Sequence, residues 1–327
     1  MTEQEPIAVS ICCTTYNQVG YIEDAIKGFL SQETSFPFEI LINDDCSTDG
    51  TTDIVLKYAE EYPGKVIAVT HDENQYSKGH YMTTDFLYPR ARGKYIALCE
   101  GDDYWIDPLK LQRQYDALEN HPESSFCVHA SKTVVADTGK VLTVNQPYAE
   151  DCEIPLSDIF ERNHSFATAS QFMRKSAYDS YVSTGMYKVP GDGDFKMCAY
   201  YATLGPVIYL AEPMSAYRVF AQNSINRGIL QLPADEQRAM QDRLRTERIG
   251  VLKHLDELTH GIYHAQIEEG VVAANYGFLK SIADVPAMKK QFPERYKAET
   301  ALRKLILFGK HSMPHTYAWI AKRVYHL

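Results

Sequence analysis

Residues 95–105 read Tyr95-Ile96-Ala97-Leu98-Cys99-Glu100-Gly101-Asp102-Asp103-Tyr104-Trp105, an apolar run that ends abruptly in clustered carboxylates. Carboxylates at the end of a buried strand suit Mg²⁺ or Mn²⁺, because these cations take oxygen ligands and leave positions for water and a substrate phosphate. The alternative is structural. Asp102 and Asp103 then shape a turn before a helix that has Asp107 as its N-cap and Pro108 as its first residue. These residues alone leave both interpretations open.

The first 135 residues alternate between short β-branched runs and amphipathic helical patterns. This alternation predicts βαβ units, with a mostly parallel sheet and helices on both of its faces. The predicted strands are 7–13, 38–42, 66–70, 95–99 and 126–135, and the predicted helices are 21–31, 51–62, 80–91 and 108–120. Ligands of such sheets bind beyond the carboxyl ends of the strands. Polar clusters follow three predicted strands, at 14–17, 43–50 and 100–103, so we expect them to line one binding edge.

The cluster at 43–50 contains acids of two kinds. Asp49, with its neighbouring hydroxyl residues, is a good helix N-cap and starts the helix predicted at Thr51. Asp44 and Asp45 are not explained in this way, because adjacent carboxylates at the end of a buried strand repel each other. We interpret Asp45 as a ligand contact that accepts hydrogen bonds from a uracil imide or a ribose hydroxyl.

Tyr16 lies in the first polar cluster, close to Thr14 and Asn17. A tyrosine at this place can belong to the core. It can equally stack on a base while its polar neighbours hydrogen-bond the same ligand. The residues themselves do not decide between these two interpretations.

The composition limits the class of protein. A chain of 327 residues, 45% hydrophobic and 23% charged, can form one large or two smaller domains. Its net charge of −10 argues against nucleic acid as a partner, since backbone binding needs clustered basic residues. The seven cysteines form no C-x-x-C pair, which favours reduced thiols in a cytoplasmic protein. With neither a signal region nor an apolar run of about 20 residues, we expect no secretion and no membrane span.

Four segments together resemble the motifs of family 2 glycosyltransferases with the GT-A fold. They read SICCTTYN (10–17), EILINDDCSTDGT (39–51), GKYIALCEGDD (93–103) and PGDGDF (190–195), and they cover about residues 5–225 in the order of the family. The resemblance implies an α/β fold with a Rossmann-like, mostly parallel central sheet flanked by helices. It also implies an inverting, Mn²⁺- or Mg²⁺-dependent transfer of a sugar from a nucleotide sugar, with a UDP-sugar favoured, to a hydroxyl of a glycan or lipid-linked acceptor in surface-polysaccharide synthesis.

The resemblance also implies roles for single residues near the nucleotide. Thr14, Tyr16 and Asp45 match positions that hold the base, with Asn17 beside them and Asp44 in support. Lys78 lies in a segment where similar enzymes place a basic residue near the diphosphate. An ordinary solvated loop lysine explains Lys78 equally well.

Asp102 and Asp103 match the metal motif of the family. The resemblance implies that Asp103 is the direct metal ligand and that Asp102 contacts both the metal and the nucleotide. Asp192 matches the catalytic base, which accepts the proton of the acceptor hydroxyl. Because Asp192-Gly193-Asp194 is itself a D-x-D pattern, it could instead hold the metal or cap the helix predicted at 195–203. Its position ahead of a helix favours the base, with Asp194 in support, and we expect partial burial to raise the pKa of Asp192.

The chain departs from the family after Tyr217-Arg218. Many relatives place a histidine shortly after this pair, near the metal or the diphosphate, whereas residues 219–224 contain none. We therefore expect Arg218 or Asn223 to help with the diphosphate. The eleven histidines show no zinc-ligand spacing, so a dedicated zinc site is not expected.

The predicted domains are a glycosyltransferase domain at 1–228 and a helical C-terminal region at 229–327. The first is divided into a nucleotide-sugar half at 1–135 and an acceptor half at 136–228, which contains a predicted strand at 167–173. The predicted C-terminal helices are 234–258, 262–283 and 294–308.

No acid follows Glu299, and residues 300–327 interleave aromatic and aliphatic side chains with Arg303, Lys304, Lys310, Lys322 and Arg323. A basic, aromatic segment of this kind can lie on an anionic membrane, which would make the enzyme peripheral to the inner face of the cell membrane. It can also cover the core or form a homodimer contact.

Two other functions compete with glycosyl transfer. A sugar-phosphate nucleotidyltransferase also has a sheet and an acid-bound metal, but it needs a Gly-rich loop after the first strand, and residues 14–20 do not provide one. A non-catalytic module that binds sugar nucleotides would share the binding residues. Only hydrolysis or transfer of the donor separates such a module from an enzyme.

Overall fold

A computed structural model describes residues 6–161, 166–219, 221 and 232–312. The strands are β1 (Val9–Thr15), β2 (Phe38–Asp44), β3 (Val66–Thr70), β4 (Tyr95–Glu100), β5 (Tyr104–Trp105), β6 (Phe126–Val135), β7 (Val141–Asn145), β8 (Cys152–Ile154), β9 (Phe172–Arg174) and β10 (Val207–Val219). The α-helices are α1 (Ile22–Leu30), α2 (Thr51–Glu61), α3 (Lys110–Asn120), α4 (Leu156–Glu161), α5 (Lys175–Ser183), α6 (Gly193–Ala202), α7 (Ala234–Leu258), α8 (His264–Ser281), α9 (Val285–Gln291), α10 (Pro293–Ala298) and α11 (Ala301–Ser312).

All ten strands belong to one sheet, in the order β3-β2-β1-β4-β9-β6-β10-β5, with β7 beside β6 and β8 beside β10. The first four strands in this order are parallel. β9 is antiparallel to both β4 and β6, and β10 is parallel to β6. The predicted α/β class is therefore confirmed. Strands β3, β2, β1 and β4 form the parallel part of the sheet, whereas β5, β7, β8 and β9 each pair antiparallel with a neighbour.

Helix α1 shows why the first half folds as predicted. Ile22, Ala25, Ile26 and Phe29 recur at the helical period, and all four are buried against the sheet. Gly28 lies on the same helix, where an added Cβ would stand 2.8 Å from the backbone oxygen of Trp105. Only glycine lets α1 come this close to β5, which follows directly after the acidic turn.

Several predicted boundaries are wrong for local reasons. The helix predicted at 80–91 is a π-helix (Met82–Leu87) followed by a 3₁₀ turn (Tyr88–Arg90), because Pro89 cannot continue an α-helix. The helix predicted from 108 begins at Lys110, since Asp107 Oδ1 accepts the backbone N–H of Leu109 and forms a turn first.

Two predictions in the second half also fail. The strand predicted at 167–173 begins with a 3₁₀ turn (Thr168–Ser170), because the Ser170 hydroxyl donates to the Ala167 carbonyl, and only Phe172–Arg174 is extended. The helix predicted at 294–308 is divided into α10 and α11, where the Thr300 hydroxyl accepts the backbone N–H of Arg303 and starts a new helix.

The contacts divide the chain into two compact units. The first consists of Met1–Ile159, His164–Val189 and Gly193–Gln231, and the second of Phe160–Asn163, Pro190–Asp192 and Leu232–Leu327. The second unit is helical and has a small core of Tyr276, Leu279, Ala283, Met288 and Leu307. The boundary predicted between 228 and 229 lies outside the described residues. Among the helices that the structure describes, none has the length and apolar character needed to cross a membrane.

Candidate active site

The three polar clusters meet at one edge of the sheet. In the parallel register Thr14 lies between Asn43 of β2 and Glu100 of β4, and Thr15 is opposite Asp44. The carboxyl ends of parallel strands share an edge, so residues more than 80 positions apart in the sequence become neighbours there. This edge carries the candidate active site.

The acidic turn after β4 is fastened to β1. The backbone N–H of Gly101 donates to the Thr14 carbonyl at 2.9 Å, and the N–H of Asp103 donates to the Glu100 carbonyl at 3.1 Å. A Cβ at position 101 would lie 2.5 Å from Gln18 Oε1 and 2.7 Å from Thr15 Cβ. Glycine is therefore required for the turn to lie this close to β1.

Asp103 is buried, with 1% of its surface exposed. Its Oδ1 accepts the backbone N–H of Arg218 at 2.8 Å, whereas its Oδ2 is buried without a hydrogen-bond partner among the described residues. Burial raises the pKa of the Asp103 carboxyl well above its usual value, and the negative charges of Asp102 and Glu100 raise the pKa further. A buried carboxylate oxygen with no donor is an unfavourable arrangement unless something binds it.

The surroundings of this oxygen fit a divalent cation. The nearby negative charges are the carboxylates of Asp102 and Glu100, the guanidinium of Arg218 is the nearby positive charge, and hard cations such as Mg²⁺ and Mn²⁺ prefer oxygen ligands. Burial also raises the pKa of Asp102, while the charge of Arg218 and a hydrogen bond from Gln18 lower it. A cation bound here would stabilise both ionised carboxylates.

Arg218 lies behind the acidic turn. Its Nη1 donates to the Asp102 carbonyl at 2.9 Å, its Nη2 pairs with the Asp24 carboxylate, and its guanidinium lies 4.2 Å from the centre of the Tyr104 ring. The guanidinium is thus used within the protein, and the predicted contact of Arg218 with the diphosphate stays a prediction. Asn223, the other residue considered for this contact, lies outside the described residues.

Asp45 fixes a loop. Its Oδ1 accepts the backbone N–H of Gln75 at 2.7 Å, and its Oδ2 accepts that of Tyr76 at 3.0 Å. The same loop carries Lys78, whose ammonium pairs with Glu73. Each carboxylate oxygen has a further acceptor position, so contact between Asp45 and a nucleotide also stays a prediction.

Asn17 and Asp44 stabilise the two neighbouring loops. Asn17 has a positive φ of 51°, and its Oδ1 accepts the backbone N–H of Thr48 at 2.8 Å. Asp44 accepts hydrogen bonds from Ser47 and from the Thr52 hydroxyl at 2.6 Å. The bond between Asn17 and Thr48 joins the loop after β1 to the loop after β2, and the bonds to Asp44 stabilise the loop after β2.

Tyr16 is 45% exposed at this edge, which excludes the core interpretation. Thr14 is half-buried beside it. An exposed aromatic ring next to polar groups is suited to stacking on a nucleobase.

Asp194 and Asp192 differ in their surroundings. Asp194, in the first turn of α6, accepts hydrogen bonds from the Thr168 hydroxyl at 2.8 Å and from the Gln171 amide at 2.7 Å. Asp192 belongs to the second compact unit and directly precedes α6. It is exposed, so the expectation that Asp192 is partly buried is wrong. Its role as base stays a prediction.

Residues 10–181 match the sequence profile described as Glycosyl transferase family 2. The chain belongs to this family. A Mycobacterium tuberculosis relative, the uncharacterized protein Rv1520, is 30% identical over 310 residues, which cover 90% of this chain and 86% of that protein. The Escherichia coli protein named UDP-Glc:alpha-D-GlcNAc-diphosphoundecaprenol beta-1,3-glucosyltransferase WfaP is 35% identical over 111 residues, 34% of this chain and 41% of that protein.

The fold of this family 2 glycosyltransferase is similar to that of Staphylococcus aureus TarS 1–349, solved in complex with UDP-GlcNAc. The TM-score is 0.56 at 16% identity, over 94% of this chain and 92% of that chain. This likeness confirms the predicted GT-A fold, and the family match confirms the resemblance drawn from the motifs.

Sequence reasoning missed three residues of the candidate active site. Gln18 hydrogen-bonds Asp102 and accepts from the Thr15 hydroxyl at 2.8 Å, and its position directly after the first cluster was an available signal. Gln171 binds Asp194 within a segment interpreted as an ordinary strand. Asp24 is 194 positions from Arg218, and no local pattern relates the two.

Proposed function

We propose that this glycosyltransferase is an inverting enzyme that transfers a sugar from a UDP-sugar to a hydroxyl of a glycan or lipid-linked saccharide in surface-polysaccharide synthesis. The observation that carries the proposal is the buried Asp103 Oδ2, which lacks a hydrogen-bond partner among the described residues and lies at the sheet edge beside Asp102. The UDP-GlcNAc complex of TarS and the name of WfaP support a UDP-sugar donor, and the name of WfaP supports a lipid-linked acceptor.

Asp103, with Asp102 beside it, would hold Mn²⁺ or Mg²⁺. A cation bound here supplies Lewis-acid stabilisation of the charge that develops on the leaving diphosphate. The chain's own residues orient the donor. Tyr16 stacks on the base, Asp45 accepts a hydrogen bond at its edge, and the Thr14 hydroxyl accepts or donates one there. Lys78 leaves Glu73 to pair with the diphosphate.

Asp192 is the base in this proposal. Its carboxylate accepts the proton of the acceptor hydroxyl as that oxygen attacks the anomeric carbon on the face opposite the diphosphate. One displacement of this kind inverts the anomeric centre. Asp194 stabilises the N-terminus of α6 through its bonds to Thr168 and Gln171.

The test is a thermal-shift panel of UDP, GDP, ADP, UDP-glucose and UDP-GlcNAc, each with and without Mn²⁺, followed by assay of sugar release. Specific ligands raise the melting temperature by mass action, so we expect the largest shift for a UDP compound together with Mn²⁺. Stabilisation by GDP or ADP in preference to UDP would contradict the proposed donor. Donor binding without hydrolysis or transfer would favour a non-catalytic module.

The proposal includes peripheral contact with the inner face of the cell membrane through helix α11. Leu302 and Leu305 of α11 are each 66% exposed and Phe308 is 57% exposed, while Leu307 is buried in the helical core. At 100° per residue these three exposed side chains share one arc that faces away from Leu307. An outward apolar arc of this kind marks an interaction surface.

The charge around this arc favours an anionic bilayer over a protein partner. Arg303 and Lys310 flank one side of the arc, and Lys304 lies toward the other side. Each basic residue near an anionic surface adds about 1 kcal/mol of attraction, and the apolar arc inserts between headgroups. Residues 313–327, the remainder of the predicted tail segment, lie outside the described residues.

Replacing Leu302 and Leu305 by aspartate should abolish sedimentation of the enzyme with phosphatidylglycerol vesicles, because the arc loses its apolar character and gains negative charge. Ile262→Asp is the matched control, since Ile262 is 73% exposed in the same unit but outside α11. The control should sediment as the wild type does, and added salt should release both. Wild-type protein that ignores the vesicles would refute membrane contact. A concentration-dependent dimer lost only in the double variant would assign the arc to self-association.

A further inference from the structure

The ion pair between Asp24 and Arg218 connects helix α1 to the acidic turn of the candidate active site. Asp24 lies in the first turn of α1, and Arg218 lies near the end of β10. The neighbouring Tyr104 ring, on β5, lies against the guanidinium. Three elements that are distant in sequence, α1, β5 and β10, therefore meet next to the acidic turn, whose carboxylates would hold the cation.

Arg218 touches the acidic turn at two points. Its backbone N–H donates to Asp103 Oδ1 at 2.8 Å, which sets the orientation of that carboxylate and leaves Oδ2 for a further ligand. Its Nη1 donates to the Asp102 carbonyl at 2.9 Å, which holds the peptide unit between the two acids. A single residue thus fixes both the side chain of Asp103 and the backbone before it.

The guanidinium of Arg218 needs a counter-charge to remain in this place. Its side chain is 9% exposed, and a buried cation without a partner is strongly unfavourable. Asp24 supplies the counter-charge from a more open position, with 53% of its side chain exposed. The close approach of α1 to Trp105 at Gly28 keeps Asp24 within reach of Arg218.

We propose that Asp24 and Arg218 are positioning residues that hold Asp103 Oδ2 ready for the divalent cation. Neither side chain needs to touch the cation or the donor for this purpose. The pair organises the metal motif by hydrogen bonds and charge. The inference rests on the proposed metal site, because its effect is read as metal affinity.

Asp24→Asn tests the pair. The amide keeps the size of the side chain but carries no charge to pair with Arg218, so the guanidinium loses its fixed position beside the acidic turn. We expect the Mn²⁺ affinity of the UDP-bound protein, measured by calorimetry, to fall about 10-fold, as is typical when a residue that orients a metal ligand is changed. The Mn²⁺ concentration for half-maximal activity should rise by a similar factor, with kcat at saturating Mn²⁺ within about 2-fold of the wild type.

Glu23→Gln is the matched control. Glu23 is the preceding acid of α1, and its carboxylate pairs with Lys27 and accepts from the Tyr58 hydroxyl at 3.0 Å, away from Arg218. We expect its Mn²⁺ affinity to equal that of the wild type, although its melting temperature can change as much as that of Asp24→Asn. Asp24→Glu should recover most of the affinity, because it restores the counter-charge.

Arg218→Lys is the second variant. It keeps the backbone N–H on Asp103 but replaces a planar fork with a single ammonium, which cannot bind Asp24 and the Asp102 carbonyl in the same geometry. We expect a loss of Mn²⁺ affinity comparable to that of Asp24→Asn.

If the wild type binds Mn²⁺ with UDP and Asp24→Asn binds it as tightly as Glu23→Gln does, the positioning role is refuted and the metal site stands. If the wild type itself does not bind Mn²⁺, the proposed metal site fails and the positioning role fails with it.

Discussion

Asp103→Asn is expected to reduce sugar transfer about 10³-fold and to abolish the Mn²⁺-dependent part of UDP binding. The Asn side-chain oxygen can still accept the backbone N–H of Arg218, so the turn keeps its shape. The amide nitrogen then takes the place of Oδ2, and an NH₂ group cannot bind a cation. Loss of several kcal/mol of charge stabilisation at the leaving group corresponds to a rate effect of this size. Calorimetry of UDP with and without Mn²⁺ measures the binding, and donor turnover measures the rate.

The same variant should fold at least as stably as the metal-free wild type at neutral pH. The pKa of Asp103 in the folded protein is raised above its unfolded value, so ionising this carboxyl costs stability as the pH rises from the unfolded toward the folded pKa. Asparagine does not titrate and avoids that cost. The advantage of the variant should therefore shrink as the pH is lowered toward 4, where the carboxyl is protonated in both states. Urea denaturation at several pH values measures this difference.

Glu39→Gln provides the control for burial alone. Glu39 is a fully buried acid at the start of β2, where it binds the Ser10 hydroxyl at 2.7 Å and pairs with Arg92. Replacing Glu39 should lower the melting temperature because its buried carboxylate no longer pairs with Arg92, while the folded protein keeps Mn²⁺-dependent UDP binding. Retained Mn²⁺-dependent binding in Asp103→Asn would refute the assignment of Asp103 as the metal ligand.

Asp192→Asn is expected to lower kcat about 10²-fold or more, while the affinity for the donor stays within a few-fold of the wild type. The amide preserves the shape of the side chain but cannot accept the proton of the acceptor hydroxyl. An interaction needed only in the transition state lowers kcat and kcat/KM together, and equilibrium binding of the UDP-sugar is left intact. Steady-state kinetics with a saccharide acceptor, together with calorimetry of the donor, separates the two effects.

Asp194→Asn distinguishes the base from its support. The Asp194 oxygen that accepts from Thr168 and Gln171 is replaced by an amide oxygen that can accept the same two hydrogen bonds, so we expect a smaller loss of kcat than in Asp192→Asn. The acceptor KM can rise if the start of α6 loosens. Should Asp194→Asn be the inactive variant and Asp192→Asn remain active, the two roles are reversed.

The sequence predicted those features that depend on local periodicity. The strands Val66–Thr70 and Phe126–Val135 and the helix Ala234–Leu258 have the predicted bounds, because β-branched runs and helical spacing are properties of neighbouring residues. The meeting of three polar clusters at one edge was also predictable, since parallel strands place their carboxyl ends together. Strand β10 was missed, because Pro213 interrupts its pattern and the register with β6 shifts between Leu210 and Ser215.

The hydrogen-bond partners of each carboxylate could not be predicted from local periodicity. Asp44 ends β2, and Asp45 and Asp49 follow it, yet Asp45 binds a loop 30 residues further along the chain, whereas Asp49 accepts the backbone N–H groups of Val19 and Thr51. The N-cap of α2 is Gly50, so the prediction that Asp49 is the N-cap is wrong. The hydrogen-bond donor that reaches each carboxylate oxygen depends on distances between segments that are far apart in the chain. The sequence does not specify these distances. Both oxygens of Asp45 are bound by backbone N–H groups, whereas Asp103 Oδ2 has no donor within the described part of the chain.

Apart from β5 and the π-helix at Met82–Leu87, the sequence by itself determined the alternation of strands and helices in residues 1–135. It also determined the family and the position of the acids at the sheet edge, because these follow from residue type and local period. Only the tertiary structure decided that Asp103 is buried while Asp192 is exposed, and that Arg218 pairs with Asp24. Burial and ion pairing arise when distant segments exclude water from a side chain. That exclusion is a property of the packed chain, and no local pattern of residues encodes it.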